Sequence, residues 1–454
     1  MKEKYVLIGA GSAMFTLGLV ADILRRGQTA DLALVDIDPQ ALVVAKGLAQ
    51  KMIAAKKAPV TLTASTARRD VLPGATAVIC TIGVGGRRAW ERDVLLPRKY
   101  GIYQPVGDSV LPGGTSRALR MIPAMVAIAN DVLALCPDAL FFNYGNPMAP
   151  VCRAVRKATG ANMVGLCHGV NHVSHYLADV LGAEYARFSY RAVGMNHFTW
   201  FTEVRVDSED ALPRLREIAE EKLAQGLVAT KLGARFAEAG DVVHGEEDLS
   251  PFSWQLLLRF GGYPACQDRH VMEFFPHLFS AKGSYFGKTP GVDAYSFEAT
   301  IANGDRSYQE MERVATARGP LPKGYFRRFS GEHEQVLEII ENLRAGVAKV
   351  YSANLPNTGQ VPNLPVEAIL ESPAVTTPSG LLPLVQPPLS SGLAGLLATR
   401  FAWVETVVDA ALEGSRDKFV QALLLDGAVT SVEMAEKLAD ELLAAQGQYL
   451  PQFA

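Results

Sequence analysis

Two side chains that can bind a transition metal occur 30 residues apart, each directly after a short apolar segment. Cys167 begins the sequence C-H-G, and His197 ends the sequence G-M-N-H. Cysteine and histidine are borderline-soft donors that suit a divalent transition ion. Their separation is not that of a zinc finger. On spacing alone, a buried thiol and a hydrogen-bonded core histidine are the commoner explanation.

A second group of residues fits a bound dinucleotide. The segment Gly9–Met14, with sequence G-A-G-S-A-M, lies where a first predicted strand turns into a first predicted helix. Gly9 and Gly11 allow a tight turn and let a pyrophosphate approach the amides at the helix N-terminus, where Ser12 also lies. Met14 replaces the usual third glycine, so the motif alone is a weak signal.

The second predicted strand ends in Asp36, 25 residues after Gly11. A carboxylate at this position binds both hydroxyls of a ribose and repels a 2′-phosphate. The pattern therefore favours NAD over NADP. A doubly wound fold that binds no nucleotide is the alternative.

Short apolar strands alternate with helices over about the first 185 residues, which indicates a parallel sheet with helices on both faces. The predicted strands are Tyr5–Ile8, Asp31–Val35, Thr61–Ala64, Ala77–Thr81, Leu140–Asn143 and Met163–Cys167. The predicted helices are Ala13–Arg25, Val44–Ala55, Arg117–Leu135 and Val151–Ala158. The carboxyl ends of strands hold the ligands of open α/β sheets, and the segments with chemistry follow predicted strands.

The second half has a different pattern, with antiparallel strands followed mainly by helices. The strands are Phe188–Val193 and Phe198–Val206, and the helices are Arg214–Gln225, Gly331–Val347 and Ala394–Leu412. Residues 353–393 are rich in Pro, Asn, Ser and Gly, which predicts an ordered, loop-rich edge or a flexible segment. The expected fold is α/β, a Rossmann-like doubly wound sheet and an α+β lobe, as in lactate and malate dehydrogenases. The expected domains are an NAD-binding unit at 1–190 and a substrate and oligomerisation unit at 191–454.

The composition is that of an ordinary globular protein. Of the 454 residues, 49% are hydrophobic and 20% charged, and the net charge of −3 has no basic cluster that would predict a nucleic-acid partner. Five scattered cysteines without a C-x-x-C pair indicate reduced thiols in a cytoplasmic protein. The apolar run Tyr5–Ala21 is explained better by a strand, a glycine turn and a helix than by a signal peptide. No other stretch is expected to span a membrane.

Taken together, the motifs resemble glycoside hydrolase family 4. The resemblance rests on G-x-G-S at 9–12, D-I-D-P at 36–39, N-Y-x-N-P at 143–147, C-H-G at 167–169 and G-x-N-H at 194–197. They occur in the family's order and at similar intervals over about 200 residues, and Q-D-R-H and N-L-P segments extend the match. The resemblance implies a glycosidase that depends on NAD and a divalent metal, with Mn²⁺ the usual ion.

The mechanism implied by this resemblance is a redox elimination. Bound NAD⁺ takes hydride from C3 of the sugar, and the resulting ketone, with the metal on the C2 and C3 oxygens, acidifies the C2 proton. A base removes that proton and the aglycone leaves from C1. Water then adds and hydride returns to C3, so NAD is recycled within one turnover.

The resemblance also implies roles for individual residues. Cys167 and His197 match the metal ligands, and Asn146 matches the sugar-binding asparagine, with Asn143 expected beside it. The general acid is an aspartate after the cysteine in the phospho-glycosidase branch, and here His168 occupies that position.

The family's base is a tyrosine or an aspartate, and two residues of the sequence G-G-Y-P-A-C-Q-D-R-H fit this requirement. We expect Asp268 to be the base, with Tyr263 as the alternative. A structural ion-pair cluster explains D-R-H equally well.

The substrate is expected to be an unphosphorylated sugar. Trp90 stands where the phospho-glycosidases have a phosphate-binding arginine, and C-H-G replaces their C-D. Arg88, with Arg87 and Arg269, would suit a uronic-acid carboxylate. An α-glucoside, an α-galactoside and an α-uronide all stay open.

Two other functions compete with the glycosidase. A plain NAD-dependent dehydrogenase of the lactate/malate type shares the fold but needs no thiolate-bound metal. A nucleotide-sensing protein without chemistry would use Cys167 and His197 only for packing. A homodimer or homotetramer is expected from the resemblance.

Overall fold

The computed structural model describes residues 2–13, 15–224, 250–329 and 335–453. Met14 of the glycine motif, Gln225 and residues 331–334 of a predicted helix lie outside the described residues. The described strands form one mixed sheet of 13 strands with helices packed on it.

Six parallel strands form the N-terminal half of the sheet, in the order β3-β2-β1-β4-β5-β6. This is the strand order of dinucleotide-binding folds. The central strand β4 is entirely apolar and entirely buried, as expected for a strand covered on both faces. The predicted Rossmann-like fold is confirmed. The six strands are β1 Glu3–Ile8, β2 Ala30–Val35, β3 Val60–Ser65, β4 Ala77–Cys80, β5 Leu140–Asn143 and β6 Met163–Gly165.

Seven further strands continue the same sheet in antiparallel fashion. They are β7 Phe188–Met195, β8 Phe198–Val206, β9 Glu209–Asp210, β10 Tyr263–Pro264, β11 Val350–Pro356, β12 Ile369–Thr377 and β13 Gly380–Pro383. The order continues from β6 as β11-β12-β7-β8-β10, with β13 beside β12 and β9 beside β8. The sheet therefore passes without a break through both predicted domains.

The prediction of a loop-rich edge at residues 353–393 was wrong, because β11 and β12 lie in the middle of the sheet. Their buried polar side chains concealed the strand pattern. Asn354 on β11 donates to the carbonyl of Gly165, and Glu371 on β12 accepts from Thr199. These polar groups tolerate burial because they are hydrogen-bonded.

Helices cover both faces of the sheet, and several begin or end at recognisable caps. Asp38 accepts from the amide of Gln40 at the start of one helix, and Gly27 and Gly160 end two others in the left-handed conformation. The helices of at least eight residues are Thr16–Arg26, Pro39–Lys56, Gly86–Lys99, Leu111–Leu135, Met148–Thr159, Gly169–Val180, Leu212–Ala224, Pro251–Phe260, Phe297–Thr316, Val336–Ala345, Ser391–Glu413, Arg416–Asp426 and Val432–Gln446. The helices at 86–99, 169–180, 251–260, 297–316, 416–426 and 432–446 were not predicted from the sequence.

Helix Leu111–Leu135 is long and apolar enough to cross a membrane by length and composition, which the sequence analysis did not predict. It packs against helices Met148–Thr159 and Ser391–Glu413. Of its 25 residues, 16 are buried, and these include Arg120 and Asp131. We therefore interpret it as a core helix.

A buried ion pair joins this helix to helix Gly86–Lys99. The guanidinium of Arg120 donates to both carboxylate oxygens of Asp93, and both side chains are fully buried. Gln446, in the last described long helix, donates to the same carboxylate at 2.8 Å. The pair thus fixes two core helices and the C-terminal helix together.

We predict that Arg120→Met lowers the free energy of unfolding by about 3–5 kcal/mol, because it leaves the Asp93 carboxylate buried without its charge partner. Urea denaturation measures the loss. Arg313→Met is the control, since Arg313 pairs with Glu310 at the surface and should change the value by less than about 1 kcal/mol. Equal losses in both variants would contradict a structural role for the buried pair.

Candidate active site at the carboxyl edge of the sheet

The glycine turn after β1 lies against the ends of β2 and β4. Gly9 has φ +93°, and a Cβ there would lie 2.8 Å from the amide nitrogen of Ile82. A Cβ on Gly11 would lie 2.8 Å from a carboxylate oxygen of Asp36. Any larger residue at either position would therefore fill the turn.

Asp36 is placed as the sequence predicted, beside this turn. Its Oδ2 accepts from the amide of Gly11 at 2.7 Å, and its Oδ1 accepts from the amide of Asp38 at 3.0 Å. A carboxylate has about four lone-pair sites, so each oxygen can accept one more hydrogen bond. Ser12 follows in the turn before helix Thr16–Arg26, and its Oγ accepts from the amide of Phe15.

The two asparagines that were predicted to bind the sugar, Asn143 and Asn146, have different surroundings in the loop after β5. Asn143 is fully buried, and its amide group exchanges two hydrogen bonds with the backbone of Gly145. The structure therefore argues against Asn143 as a sugar-binding residue, because its polar atoms shape the loop. Asn146 is partly exposed and donates to Oδ2 of Asp108 at 3.0 Å, while its carbonyl accepts from Arg117.

His197 lies at the tip of the β7–β8 hairpin, where only two residues connect the strands. Its φ of +63° is the left-handed conformation that such short turns require. Gly194 makes room for the turn, since a Cβ there would lie 2.5 Å from the carbonyl oxygen of Phe198.

The hairpin tip is held by the buried carboxylate of Glu371 on β12. Its two oxygens accept from Thr199 Oγ1 at 2.6 Å and from the side-chain amide of Asn196 at 3.4 Å. Burial raises the pKa of the Glu371 carboxyl, although these donors act in the opposite direction. Because Asn196 and Thr199 flank His197, Glu371 fixes the position of that imidazole.

A short relay also orients the His197 ring. Ser109 Oγ donates to Asp108 at 2.7 Å and lies 2.8 Å from Nδ1 of His197. A hydroxyl has one proton to donate, so the serine is left to accept from an Nδ1–H group. This arrangement leaves Nε2 of His197 as the atom with a lone pair for a metal.

Three metal-ligating side chains converge at this point. The donor atoms of His197, Cys266 and His270 all lie within 4.8 Å of one another. Cys167 borders the same group, because a Cβ on Gly169 would lie 3.6 Å from its sulfur and 3.9 Å from the sulfur of Cys266. Cys167 therefore lies near the same group as His197, as expected. The group also contains Cys266 and His270, which were not predicted to bind the metal.

Burial favours the uncharged forms of Cys266 and His270. It raises the pKa of the Cys266 thiol well above its ordinary value, and the nearby Cys167 adds to this effect. It lowers the pKa of His270 well below its ordinary value, and electrostatic interactions with His197 and Arg269 add to this effect. A neutral imidazole is the form that binds a metal.

His168 lies at the N-terminus of helix Gly169–Val180, beside the cluster. Its ring is partly exposed and lies 4.6 Å from that of His172, measured between ring centroids. It interacts electrostatically with both His270 and Glu371. The position is compatible with the expected exchange of protons with a bound substrate.

Asp268, the expected base, does not have the surroundings that a base requires. It is fully buried, and its two oxygens accept four hydrogen bonds, from the amides of Phe252 and Ser253, from Ser253 Oγ and from the hydroxyl of Tyr285. Burial raises its pKa to about 6. The four donors fill the lone-pair sites of the carboxylate and fix the start of helix Pro251–Phe260. This geometry argues against Asp268 as the base and indicates a structural role, in which the donors are uncharged groups and not the ion-pair partners of the expected alternative.

Tyr263, the alternative base, is also buried. Its ring packs against Trp254 and Tyr176, with centroid distances of 4.8 and 6.3 Å. Burial raises its pKa well above the ordinary value for tyrosine. A phenol in this apolar cluster is not presented to a sugar.

Arg88 lies at the surface and forms ion pairs with other side chains. Its guanidinium pairs with Glu91 and Asp305, and its side chain is 57% exposed. The structure therefore gives no support for Arg88 as a substrate ligand. Trp90 is partly buried, donates to the carbonyl of Val106 and packs edge-on against Phe297, so its role is packing.

Several residues that the fold brings to the site were not predicted from the sequence. Asp108 and Ser109 come from the segment before helix Leu111–Leu135, Arg117 comes from that helix, and Glu371 comes from a strand that was not predicted. Cys266 and His270 lie in the segment that was predicted to hold only the base. Local patterns could not reveal them, because their proximity arises from contacts between residues far apart in the sequence, such as the 88 residues between Ser109 and His197.

Comparison with known proteins agrees with this geometry. Residues 4–183 match the family model "Family 4 glycosyl hydrolase", and residues 192–429 match "Family 4 glycosyl hydrolase C-terminal domain". An α-glucosidase of Erwinia rhapontici is 30% identical, with 99% of each chain covered. An α-galactosidase of Rhizobium meliloti is 31% identical, covering 99% of this chain and 90% of the relative. An α-galacturonidase of Bacillus subtilis is 30% identical, covering 97% and 96%.

Solved structures give the same result for the fold. A Bacillus subtilis glucosidase is 29% identical, with a TM-score of 0.80 over 97% of this chain and 100% of the other. A 6-phospho-α-glucosidase from gut microorganisms, solved with NAD and Mn²⁺, is 18% identical, with a TM-score of 0.83 over all of both chains.

These matches cover both halves of the chain and include full-length relatives named α-glucosidase and α-galactosidase. They favour the glycosidase over the dehydrogenase and the nucleotide sensor. The predicted family is thus confirmed: the chain is a glycosidase that belongs to family 4 of the glycosyl hydrolases.

Proposed function

We propose that this glycosidase cleaves the glycosidic bond of an unphosphorylated α-glycoside by redox elimination, with NAD and a divalent metal. One observation carries the proposal. The nucleotide turn with Asp36 and the partly exposed Asn146 follow parallel strands that end at the same edge of the sheet, and Asp108 and Ser109 connect Asn146 to His197 of the donor group. The sugar would lie between the nucleotide and the metal at this edge.

The nucleotide turn fits NAD. Gly9 and Gly11 leave the backbone open to a pyrophosphate, and Asp36 retains acceptor sites for ribose hydroxyls. The same carboxylate would repel the 2′-phosphate of NADP. A solved relative was crystallised with NAD and Mn²⁺, which supports this cofactor pair.

The donor group fits a divalent transition ion. His197 offers Nε2, and Cys167, which matches the family's thiolate ligand, borders the same group. When bound, NAD would take and return hydride at C3 of the sugar, and the metal would polarise the C2 and C3 oxygens so that the C2 proton becomes acidic.

The side chains around this position have separate tasks in the proposal. Asn146, oriented by its bond to Asp108, would bind a sugar hydroxyl. Asp108 also holds Ser109, and through it His197, so it acts as a positioning residue. His168 would protonate the leaving oxygen, since an imidazole exchanges protons near neutral pH.

The sugar itself is proposed only as a class. The named relatives act on glucosides, galactosides and galacturonides, which differ at C4 and C6. Arg117 donates to the carbonyl of Asn146 and lies next to the proposed sugar. Its guanidinium would suit the carboxylate of a uronide.

The remaining expectations also stay proposals. We propose that the chain works in the cytoplasm as a homodimer or homotetramer and that residues 1–190 and 191–454 act as separate domains. Light scattering after gel filtration measures the oligomer. A fragment 1–190 that binds NAD would support the division into domains.

The proposed function predicts release of aglycone without net consumption of NAD. Aryl α-glucoside, α-galactoside and α-galacturonide are incubated with NAD⁺, Mn²⁺ and reductant while aglycone and nicotinamide absorbance are followed together. We expect release from at least one substrate, with no accumulation of NADH. NADH formed in proportion to substrate would instead indicate a dehydrogenase.

A second prediction concerns Asp36. Because a charge-assisted bond to ribose contributes about 1.5–3 kcal/mol, Asp36→Ala should weaken NAD binding about 10- to 150-fold. NADP should bind no worse than to the wild type, because the repelling carboxylate is gone. Isothermal titration gives both dissociation constants, and Asp31→Ala, at an exposed aspartate of the same strand, is the control. Equal weakening of NAD and NADP would indicate a collapsed turn instead of a lost ribose contact.

A third prediction distinguishes the two roles of Asp268. Asp268→Asn should lower the free energy of unfolding by about 1.5–3 kcal/mol, since it weakens hydrogen bonds to a charged acceptor. Tyr285→Phe, which removes one of the four donors, should cost about 1 kcal/mol. Activity per folded molecule should fall less than tenfold in both. A loss of about 100-fold or more in Asp268→Asn with unchanged stability would restore Asp268 as the base.

A further inference from the structure

Cys266 and His270 form a donor pair that the expected ligands Cys167 and His197 do not include. Their donor atoms and that of His197 all lie within 4.8 Å of one another. In a tetrahedral site with metal–nitrogen bonds of about 2.0 Å and metal–sulfur bonds of about 2.3 Å, the ligand atoms lie roughly 3.5 Å apart. Small side-chain rotations would close the group around an ion.

The state of the two imidazoles supports an ion at this position. The rings of His197 and His270 lie 4.1 Å apart between centroids and are inclined by 44°. Nδ1 of His270 is buried and has no hydrogen-bond partner within the described residues. A buried polar atom without a partner costs about 1–3 kcal/mol, and coordination would remove this cost.

We propose that Cys266 and His270 bind the metal together with His197, so that the ion has two imidazoles and a thiolate as ligands. This inference rests on the proposed function, because it concerns the metal of the same site. The thiol of Cys266 loses its proton to solvent when the ion binds, as thiolate ligands do. Cys167 borders these three donors, and a sugar oxygen would occupy a further coordination position of the ion.

This ligand set has a consequence for metal choice. A thiolate and two imidazoles are softer than the oxygen ligands that Mn²⁺ prefers, so they favour Zn²⁺ and Co²⁺. Cys266 would then be a determinant of metal specificity. Removing its sulfur should weaken Zn²⁺ more than Mn²⁺.

The test uses cobalt as a spectroscopic probe in the full-length apoenzyme under reducing conditions. Cys266→Ser and His270→Asn should each weaken Co²⁺ at least tenfold, and Cys266→Ser should reduce the thiolate-to-cobalt charge-transfer band. Cys136→Ser is the matched control, since Cys136 lies at the end of helix Leu111–Leu135, away from this group. NAD affinity and thermal unfolding of each variant report whether it has folded.

Cys167→Ser and His197→Asn separate this inference from the proposed function. If they lose Co²⁺ while Cys266→Ser and His270→Asn bind it as the wild type does, the inference is overturned and the proposed function stands. If the wild type binds no divalent metal, both fail.

A second measurement does not require a change at Cys266. X-ray absorption of Co²⁺-loaded Cys167→Ser should still show a sulfur ligand at about 2.3 Å. A first shell of nitrogen and oxygen alone would exclude Cys266 as a ligand.

Discussion

The buried contact between Glu371 and the tip of the β7–β8 hairpin is the constraint on which the candidate site depends. Glu371 lies on β12, which joins the antiparallel strands to the parallel half through β11. Its carboxylate accepts from Thr199 and Asn196, on the two sides of His197. A buried carboxylate is costly unless its donors stay in place, so this contact fixes the hairpin relative to the nucleotide half.

The same constraint explains how a nucleotide-binding sheet acquires a metal centre. The Plasmodium falciparum malate dehydrogenase shares the fold with a TM-score of 0.52 at 12% identity. In the present chain, antiparallel strands extend the sheet beyond β6 and include the β7–β8 hairpin that carries His197. Ser109 and Asp108 orient the His197 ring and connect it to Asn146, which follows β5 in the parallel half. The candidate metal ligands and the nucleotide half thus meet through these contacts.

The sequence predicted those parts of the fold that depend on local patterns. Strands such as Leu140–Asn143 and Phe198–Val206 agree residue for residue, because they are apolar and bounded by clear turns. The sequence also predicted Asp36 as the carboxylate at the end of the second strand, and the structure places it beside the glycine turn, where it accepts from Gly11.

The parts that failed depend on tertiary contacts. β12 carries Glu371, whose buried carboxylate is tolerated because Thr199 and Asn196 donate to it. Asp268 has the residue type of a base, but its four donors become visible only when helix Pro251–Phe260 is in place. Asn143 similarly has the residue type and motif position of a sugar ligand, but its side chain forms hydrogen bonds with the backbone of its own loop. Residue type and spacing thus identified the region of the site but not the task of each side chain.

The most direct measurement of the central claim is the proton NMR spectrum of the sugar released in D₂O. A redox elimination removes the C2 proton before water adds, whereas hydrolysis by two carboxylates leaves the C2 hydrogen untouched. The account predicts deuterium at C2 of the product after complete reaction with NAD⁺ and metal present. A fully retained C2 proton in a competent, NAD-replete sample would contradict it.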